Sequence, residues 1–204
     1  MEKFTVLRGA AAPLLIDNIN TDQIAPVQFT RALEPDYQTA LFARWRIDSE
    51  KRFVLDMLRF HRAPIFVTGA NFGCGSAREV AVWALTAHGV RCIVARSFSE
   101  VYRESLIKNS VLPVVLAPAD RLAFEQQVLA VDGQSPFEIN LTARTIACPD
   151  GTEITFEIDA GERRALLEGL DDVAMTLKHR LLIEAWESRV ATLQPWLQQV
   201  TSPD

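Results

Sequence analysis

The sequence lacks the long apolar segment that a membrane-spanning helix requires. None of the apolar runs in its 204 residues approaches the roughly 20 residues needed to cross a bilayer. Its first residues, Met-Glu-Lys-Phe-Thr, also lack the charged-then-apolar order of a secretory signal peptide. These absences predict a cytoplasmic protein that has no membrane partner.

Cysteine and histidine are scarce, with three residues of each. An odd number of widely spaced cysteines does not indicate a disulfide framework, and iron–sulfur ligands usually include closely spaced pairs. The cysteines are Cys74, Cys92 and Cys148. The histidines show no metal-binding spacing, so we expect each to lie at the surface or at a helix end: His61, His88 and His179. The sequence therefore predicts no metal site within this chain.

An excess of positive charge is missing as well. The chain has 21 basic and 26 acidic residues, which gives a formal net charge of −5. This balance argues against a nucleic-acid partner held mainly through phosphate contacts. It does not exclude a small anionic substrate, because a local cationic pocket can form on an acidic protein.

Short apolar runs alternate with helical patterns in the central part of the chain, which predicts an α/β fold. Residues 63–69 are a short apolar run bounded by Pro and Gly, typical of a buried strand. A glycine-rich loop, a helix that ends at Gly89 and a second strand at 91–95 follow. This β-loop-α-β order predicts a pair of parallel strands. A helix at 101–110 and a strand at 111–116 extend the pattern.

The flanking segments give weaker predictions. Before the central part we expect a strand and loop over 4–16, a structured loop at 17–26, and short helices at 39–47 and 53–59. After it, alternating apolar segments around Pro-Asp-Gly at 149–151 predict a hairpin. The residues from 162 to about 199 have a helical pattern, with a break at Gly169.

The stretch that points to chemistry is residues 69–78, Gly-Ala-Asn-Phe-Gly-Cys-Gly-Ser-Ala-Arg. Its three glycines let the backbone turn sharply and approach a ligand closely. We expect a helix to begin where the glycines end, with Ser76 as its N-cap and Glu79 completing a capping box. The free amides of a helix start bind anions, and Arg78 would add a cation there.

Three known glycine-rich motifs do not fit this stretch. A Walker A loop needs a lysine before the hydroxyl residue, but Gly75 directly precedes Ser76. A nucleophile elbow needs a glycine two residues after the serine, where Arg78 stands. The same arginine occupies the third glycine position of a dinucleotide-binding fingerprint. From these residues alone, a glycine-rich turn without function stays an open alternative.

The run Asn-Phe-Gly-Cys-Gly-Ser-Ala-Arg-Glu at 71–79 resembles the signature of the aconitase superfamily swivelling domain. It is particularly similar to the separate small subunits of 3-isopropylmalate dehydratases. Other blocks resemble this family in the same order along the chain, at 18–29, 41–46, 95–98, 108–113 and 169–177. The likeness therefore covers nearly the whole sequence.

The resemblance implies a fold and a domain organisation. The fold class would be α/β, as a three-layer β/β/α swivelling domain of the aconitase C-terminal type. This domain would comprise residues 1–165. Residues 166–204 would form a helical C-terminal extension that packs on the same domain.

The resemblance also implies an activity. The small subunits of this family isomerise 2-isopropylmalate to 3-isopropylmalate by dehydration and rehydration in leucine biosynthesis. A separate large subunit binds a 4Fe-4S cluster, so this chain would be a hydro-lyase only within a heterodimer. Its ligand would be a small dicarboxylate.

The family's functional positions can be assigned to residues of this sequence. The catalytic base corresponds to Ser76, and the arginine that holds a substrate carboxylate corresponds to Arg78. The backbone from Gly73 to Ala77 would complete the anion site. The full set of substrate-binding residues that we predict is Arg78, Ala77, Gly75, Thr21 and Asp22.

Three residues depart from the family pattern. Ala77 replaces a second serine whose hydroxyl helps to bind the substrate carboxylate, Val80 replaces a histidine, and Val82 replaces a proline. These changes leave two alternatives open. The chain could serve a related hydro-lyase that acts on citraconate- or dimethylmaleate-like acids, or it could be a non-catalytic paralogue that only binds an anion.

Overall fold

Two four-stranded β-sheets form the frame of residues 1–169, the first of two units into which the chain divides. The computed structural model describes residues 1–48 and 53–198, and the second unit begins at Leu170. The strands are β1 Val6–Gly9, β2 Ala11–Leu14, β3 Ile65–Thr68, β4 Cys92–Ala95, β5 Leu112–Val115, β6 Phe137–Asn140, β7 Thr145–Ala147 and β8 Glu153–Thr155.

The first sheet is parallel throughout and has the strand order β2-β3-β4-β5. Ile65 of β3 pairs with Cys92 of β4, which pairs with Leu112 of β5. All four residues of β3 and of β4 are buried. A parallel strand covered on both faces needs a continuous apolar run, which explains why the sequence pattern identified these two strands. The predicted parallel pair is confirmed.

The second sheet is antiparallel and has the order β1-β6-β7-β8. Phe137 and Ile139 of β6 are buried while Glu138 between them is exposed, as in a sheet with only one face on the core. The predicted hairpin is confirmed, since β7 and β8 pair through a turn that contains Gly151 at φ 90°.

Two clusters of buried apolar side chains fill the spaces between neighbouring layers. Ile65 and Val67 of the parallel sheet share a cluster with Phe137 of the antiparallel sheet, so the two sheets pack face to face. Phe66, which points to the other side of β3, shares the second cluster with Leu85 of the adjoining helix layer. The order of layers is therefore β/β/α, and the predicted α/β fold class is confirmed.

Seven helices lie in the first unit and two in the second, among the residues that the structure describes. They are α1 Thr21–Ile24, α2 Tyr37–Ala40, α3 Ala43–Asp48, α4 Glu79–His88, α5 Glu100–Lys108, α6 Pro118–Val131, α7 Ala160–Glu168, α8 Asp172–Leu177 and α9 Arg180–Leu193. Single 3₁₀ turns occur at Val27–Phe29, Val54–Asp56, Leu58–Phe60 and Pro195–Gln198. Gly169 ends α7 in the left-handed conformation, as the predicted break requires.

Several local predictions were wrong. The segment 17–26 contains the short helix α1, because the Asn20 and Gln23 side chains form a capping box with each other's backbone. The predicted helix at 39–47 is split in two at Phe42, whose φ of 51° is left-handed and interrupts helical geometry. Residues 53–59 form two 3₁₀ turns instead of one helix.

The second unit, residues 170–204, contains α8 and α9. None of its described side chains is buried. Across the described part of the chain, every helix is too short or too polar to cross a bilayer.

Candidate functional site

The candidate site lies at the carboxyl ends of three adjacent parallel strands. The loop after the middle strand, β3, is the glycine-rich loop, residues 69–78. The loop after β2, residues 15–20, flanks it on one side, and the loop after β4, residues 96–99, flanks it on the other. Ligands of open parallel sheets bind at this end of the strands, so the topology places the glycine-rich loop where a ligand is expected.

Backbone hydrogen bonds tie the glycine-rich loop to the loop after β2. The amide of Asn18 donates to the carbonyl oxygen of Ala70 at 2.8 Å, and the amide of Gly73 donates to that of Ile19 at 2.7 Å. The amide of Thr21 donates to the carbonyl oxygen of Cys74 at 3.1 Å. The two segments therefore form one connected backbone structure.

Two glycines in the loop are required by geometry. Gly73 has φ 76°, and a Cβ atom there would lie 1.8 Å from Cδ1 of the buried Tyr102 ring. Gly75 has φ 92°, which L side chains rarely adopt. The predicted sharp turn is confirmed by these two φ values. Close approach of the loop to a ligand stays a prediction, since the close neighbour of Gly73 is an aromatic ring.

The start of helix α4 differs from the prediction. The helix begins at Glu79, its N-cap is Arg78 in an extended conformation, and no side chain caps it. Ser76 is therefore not the N-cap, and the predicted capping box with Glu79 is wrong. The reason is local: the amide of Ala77 turns back to donate to the carbonyl oxygen of Gly75 at 3.0 Å, which keeps Ser76 outside the helix.

This arrangement has two consequences for anion binding. In the first turn of α4, the amides of Glu79 and Val80 have no side-chain cap and can donate to an external anion, whereas that of Ala81 donates to the carbonyl oxygen of Arg78. The amide of Ala77 is already engaged by Gly75, so it is not free in this conformation. The start of α4 can therefore still contribute amide donors to the predicted anion site, while the role of the Ala77 amide stays a prediction.

Ser76 is exposed on the surface of the loop, next to the exposed Gly75. Its hydroxyl makes no hydrogen bond to any residue that the structure describes. The hydroxyl is therefore open to a ligand or a partner chain and is not locked into packing.

The structure brings Arg78 and Asp22 together. Nη2 of Arg78 lies 2.5 Å from Oδ1 of Asp22 and 3.4 Å from the carbonyl oxygen of Ala25. The Arg78 side chain is 22% exposed, whereas that of Asp22 is 67% exposed. Within the described ranges, the buried Nε of Arg78 has no hydrogen-bond partner. The carboxylate thus fixes one end of the guanidinium and leaves donors for another anion.

Thr21 lies beneath the loop. Its side chain is fully buried, and its hydroxyl finds no hydrogen-bond partner in the described part of the chain. The hydroxyl oxygen would lie 3.8 Å from a Cβ atom built on Gly75. Thr21 therefore supports the turn from inside, and its contact with a substrate stays a prediction.

Two residues that anchor the loop were missed in the sequence. The carboxylate of Asp17 accepts the amide of Ala70 at 2.7 Å, and the hydroxyl of Ser97 accepts the amide of Asn71 at 2.8 Å. Both residues follow strands of the parallel sheet, Asp17 after β2 and Ser97 after β4, although the sequence predicted parallel pairing only for β3 and β4. The carboxyl ends of parallel strands meet at one edge of a sheet, so a polar residue directly after such a strand is expected to lie near the glycine-rich loop. This was the signal in the sequence that could have identified them.

The cysteines of this chain do not suit an iron–sulfur cluster. Burial raises the pKa of the Cys148 thiol to about 11 and also raises that of Cys92, whereas metal binding requires the thiolate. Cys74 lies alone in the glycine-rich loop, where its Sγ is 3.5 Å from the carbonyl oxygen of Asn18. No group of three or more His, Cys, Asp or Glu side chains among the described residues could hold a metal ion.

Comparison with known proteins gives consistent relatives. The Aconitase C-terminal domain family matches residues 1–119. The 3-isopropylmalate dehydratase small subunit of Rhodospirillum centenum is 40% identical over 203 residues, covering 96% of this chain and 98% of the relative. That of Azorhizobium caulinodans is also 40% identical, covering 97% of this chain and all of the relative.

A solved structure shares the architecture. The crystal structure of 3-isopropylmalate dehydratase from Methanocaldococcus jannaschii matches with a TM-score of 0.60 and 25% sequence identity. The match covers 89% of this chain and 99% of that one.

Proposed function

Because the chain belongs to the 3-isopropylmalate dehydratase small subunits, within the Aconitase C-terminal domain family, we propose that Ser76 and Arg78 perform its part of the reaction. The family's activity is that of a hydro-lyase in leucine biosynthesis. The substrate would be 2-isopropylmalate, a small dicarboxylate, and the product 3-isopropylmalate.

Arg78 would hold one substrate carboxylate. Its guanidinium is fixed at Nη2 by Asp22, so it is already oriented before substrate arrives. Guanidinium groups bind carboxylates through charge-assisted hydrogen bonds, and Nη1 of Arg78 makes no hydrogen bond to any described residue. The uncapped first turn of α4 would add amide donors at the same place.

Ser76 would act as the base. Dehydration of a malate requires removal of a proton from the carbon next to a carboxylate, and that proton is only weakly acidic. A serine hydroxyl does not ionise near pH 7 in water, so it needs positive charge close by. The neighbouring Arg78 and the start of α4 would supply positive electrostatic potential, and the exposed hydroxyl is free to reach the proton.

We propose that the large subunit carries the 4Fe-4S cluster. The cysteines of this chain do not form a cluster site, which supports a cluster bound elsewhere. When bound in the partner, the cluster would supply a Lewis acid for the departing hydroxyl. The heterodimer would form in the cytoplasm, and this chain without its partner would have no activity.

The observation that carries the proposal is the exposed, unbonded hydroxyl of Ser76, two residues before an arginine whose guanidinium is held by Asp22. The test is Ser76→Ala in the complex reconstituted with the large subunit and its cluster. Removal of a general base should reduce kcat on 2-isopropylmalate by at least about a hundredfold. The matched control is Ser105→Ala, since the Ser105 hydroxyl is bonded within α5.

Three results would count against the proposal. Turnover within a few-fold of the unmodified complex would show that Ser76 is not the base. Assays of the same complex on citraconate and dimethylmaleate test the substrate, because faster turnover of those acids would identify the related hydro-lyase. Absence of turnover on every acid, with binding retained, would indicate an anion-binding paralogue.

A further inference from the structure

Helix α6 carries a buried carboxylate, that of Glu125. The side chain of Glu125 is only 7% exposed, and it is paired with Arg96 through two hydrogen bonds, at 3.2 Å and 3.0 Å. Nε of Arg121 approaches the same carboxylate at 3.6 Å. A buried charge is stable only when it is paired and hydrogen-bonded, so Glu125 holds the guanidinium of Arg96 in a defined place.

Arg96 in turn reaches toward the glycine-rich loop. Its Nη1 lies 3.9 Å from Oδ1 of Asp17, the same oxygen that accepts the amide of Ala70 at 2.7 Å. The backbone amide of Arg96 donates to the carbonyl oxygen of Gly69 at 3.1 Å. A continuous series of contacts therefore leads from Glu125 to the base of the loop that carries Ser76.

The loop is packed closely against this series of contacts. A Cβ atom built on Gly69 would lie 2.2 Å from Oδ1 of Asp17. The Asp17 carboxylate occupies the space that a side chain at position 69 would need, and it accepts the amide of the next residue, Ala70. The carboxylate therefore contacts the glycine-rich loop at the point where the loop leaves the sheet.

We propose that Glu125, Arg96 and Asp17 are positioning residues that hold the glycine-rich loop in the form that presents Ser76. The proposal rests on the proposed function of Ser76. These three residues act through the loop and do not touch the substrate. Arg78 is held separately by Asp22. Loss of the contacts among Glu125, Arg96 and Asp17 should therefore lower the rate of the chemical step more than it weakens binding of the substrate carboxylate.

The test measures exchange and kinetics on the same variant. In Arg96→Ala, amide hydrogen exchange at Ala70 and Gly73 of the chain should rise about tenfold, while exchange in β3 stays unchanged. In the reconstituted complex, kcat should fall about tenfold while KM changes less than about threefold. Arg96→Lys, which keeps the positive charge, should restore part of kcat.

Two further variants make the test specific. Glu125→Gln removes the buried charge that holds Arg96 and should act in the same direction as Arg96→Ala. Arg164→Ala removes an exposed pair with Glu168 on α7 and should change neither exchange nor kinetics.

Each outcome decides the proposal. Unchanged exchange at Ala70 in Arg96→Ala would overturn it, and so would faster exchange with normal kcat. An equal change from Arg164→Ala would overturn it as well. The exchange measurement uses the chain alone, so a failure of the Ser76 assignment would be recognised separately from a failure of this one.

Discussion

At position 77 a methyl group stands where the resembled family has a hydroxyl. Ala77 is half-buried between the exposed Ser76 and the guanidinium of Arg78. Its amide donates to Gly75, so in this conformation the residue offers a bound carboxylate no donor at all. Under the proposed function, substrate binding in this chain would therefore depend more on Arg78 and on the start of α4.

Restoring the hydroxyl should strengthen binding. A hydrogen bond to a charged group contributes about 1.5 kcal/mol or more, which corresponds to about a tenfold change in affinity. We expect Ala77→Ser to lower KM for 2-isopropylmalate about tenfold in the reconstituted complex, with little change in kcat. The control is Ala87→Ser, at an exposed position near the other end of α4. A KM that stays the same or rises would show that residue 77 does not face the carboxylate.

At the scale of the element, helix α4 connects the site to a buried histidine. His88 ends the helix, is 1% exposed, and has no hydrogen-bond partner for either ring nitrogen among the described residues. Burial lowers the pKa of His88 to about 4, with help from the positive charges of Arg46, His61 and Arg62 and against the effect of Asp56. The sequence predicted that His88 lies either at the surface or at a helix end, and the structure places it at a helix end.

The lowered pKa of His88 predicts how stability depends on pH. The unfolded chain binds a proton near pH 6.5 and the folded chain only near pH 4, so the free energy of unfolding falls as pH decreases through this window. Between pH 7.5 and pH 5 this residue should account for a loss of about 2 kcal/mol. His88→Leu should remove that part of the pH dependence, as measured by urea unfolding at both pH values.

The matched control for His88 is the exposed His179. His179→Leu should leave the pH dependence of the unfolding free energy as it is in the original chain. An unchanged slope in His88→Leu would show that another group causes the loss at low pH.

At the scale of the whole molecule, the buried core belongs to one unit. Both hydrophobic clusters lie within residues 1–169, and no described side chain beyond Leu166 is buried. In the second unit, large apolar side chains such as Leu181 and Trp186 are 81% and 64% exposed. The first unit therefore has what it needs to fold alone.

A chain that ends after Leu170 tests this directly. We expect it to unfold cooperatively, in a single thermal transition, because it keeps both clusters and the Gly169 cap of α7. Loss of a cooperative transition would contradict the prediction. The packing of the predicted extension on the domain stays a prediction. The midpoint tests it for residues 171–204, because removal of residues that pack on the domain would lower the midpoint.

The sequence by itself determined the parallel pair β3 and β4, the hairpin and the glycine-rich loop, because each depends on local patterns. The buried strands β3 and β4 are continuous apolar runs, and Gly73 and Gly75 adopt a backbone conformation that few other residues tolerate. The resemblance of residues 71–79 to one family then gave Ser76 and Arg78 as the proposed base and carboxylate-binding residue, and these two roles stay predictions.

Tertiary structure decided which residues that are far apart in the sequence contact one another. The pairing of Arg78 with Asp22, separated by 56 positions, fixes the guanidinium, and no local pattern indicates it. The contacts from Glu125 through Arg96 to Asp17 likewise join three elements that meet only once the sheet has formed. Helix α4 begins at Glu79 instead of Ser76 because Ala77 bonds back to Gly75, and propensity alone does not reveal that turn.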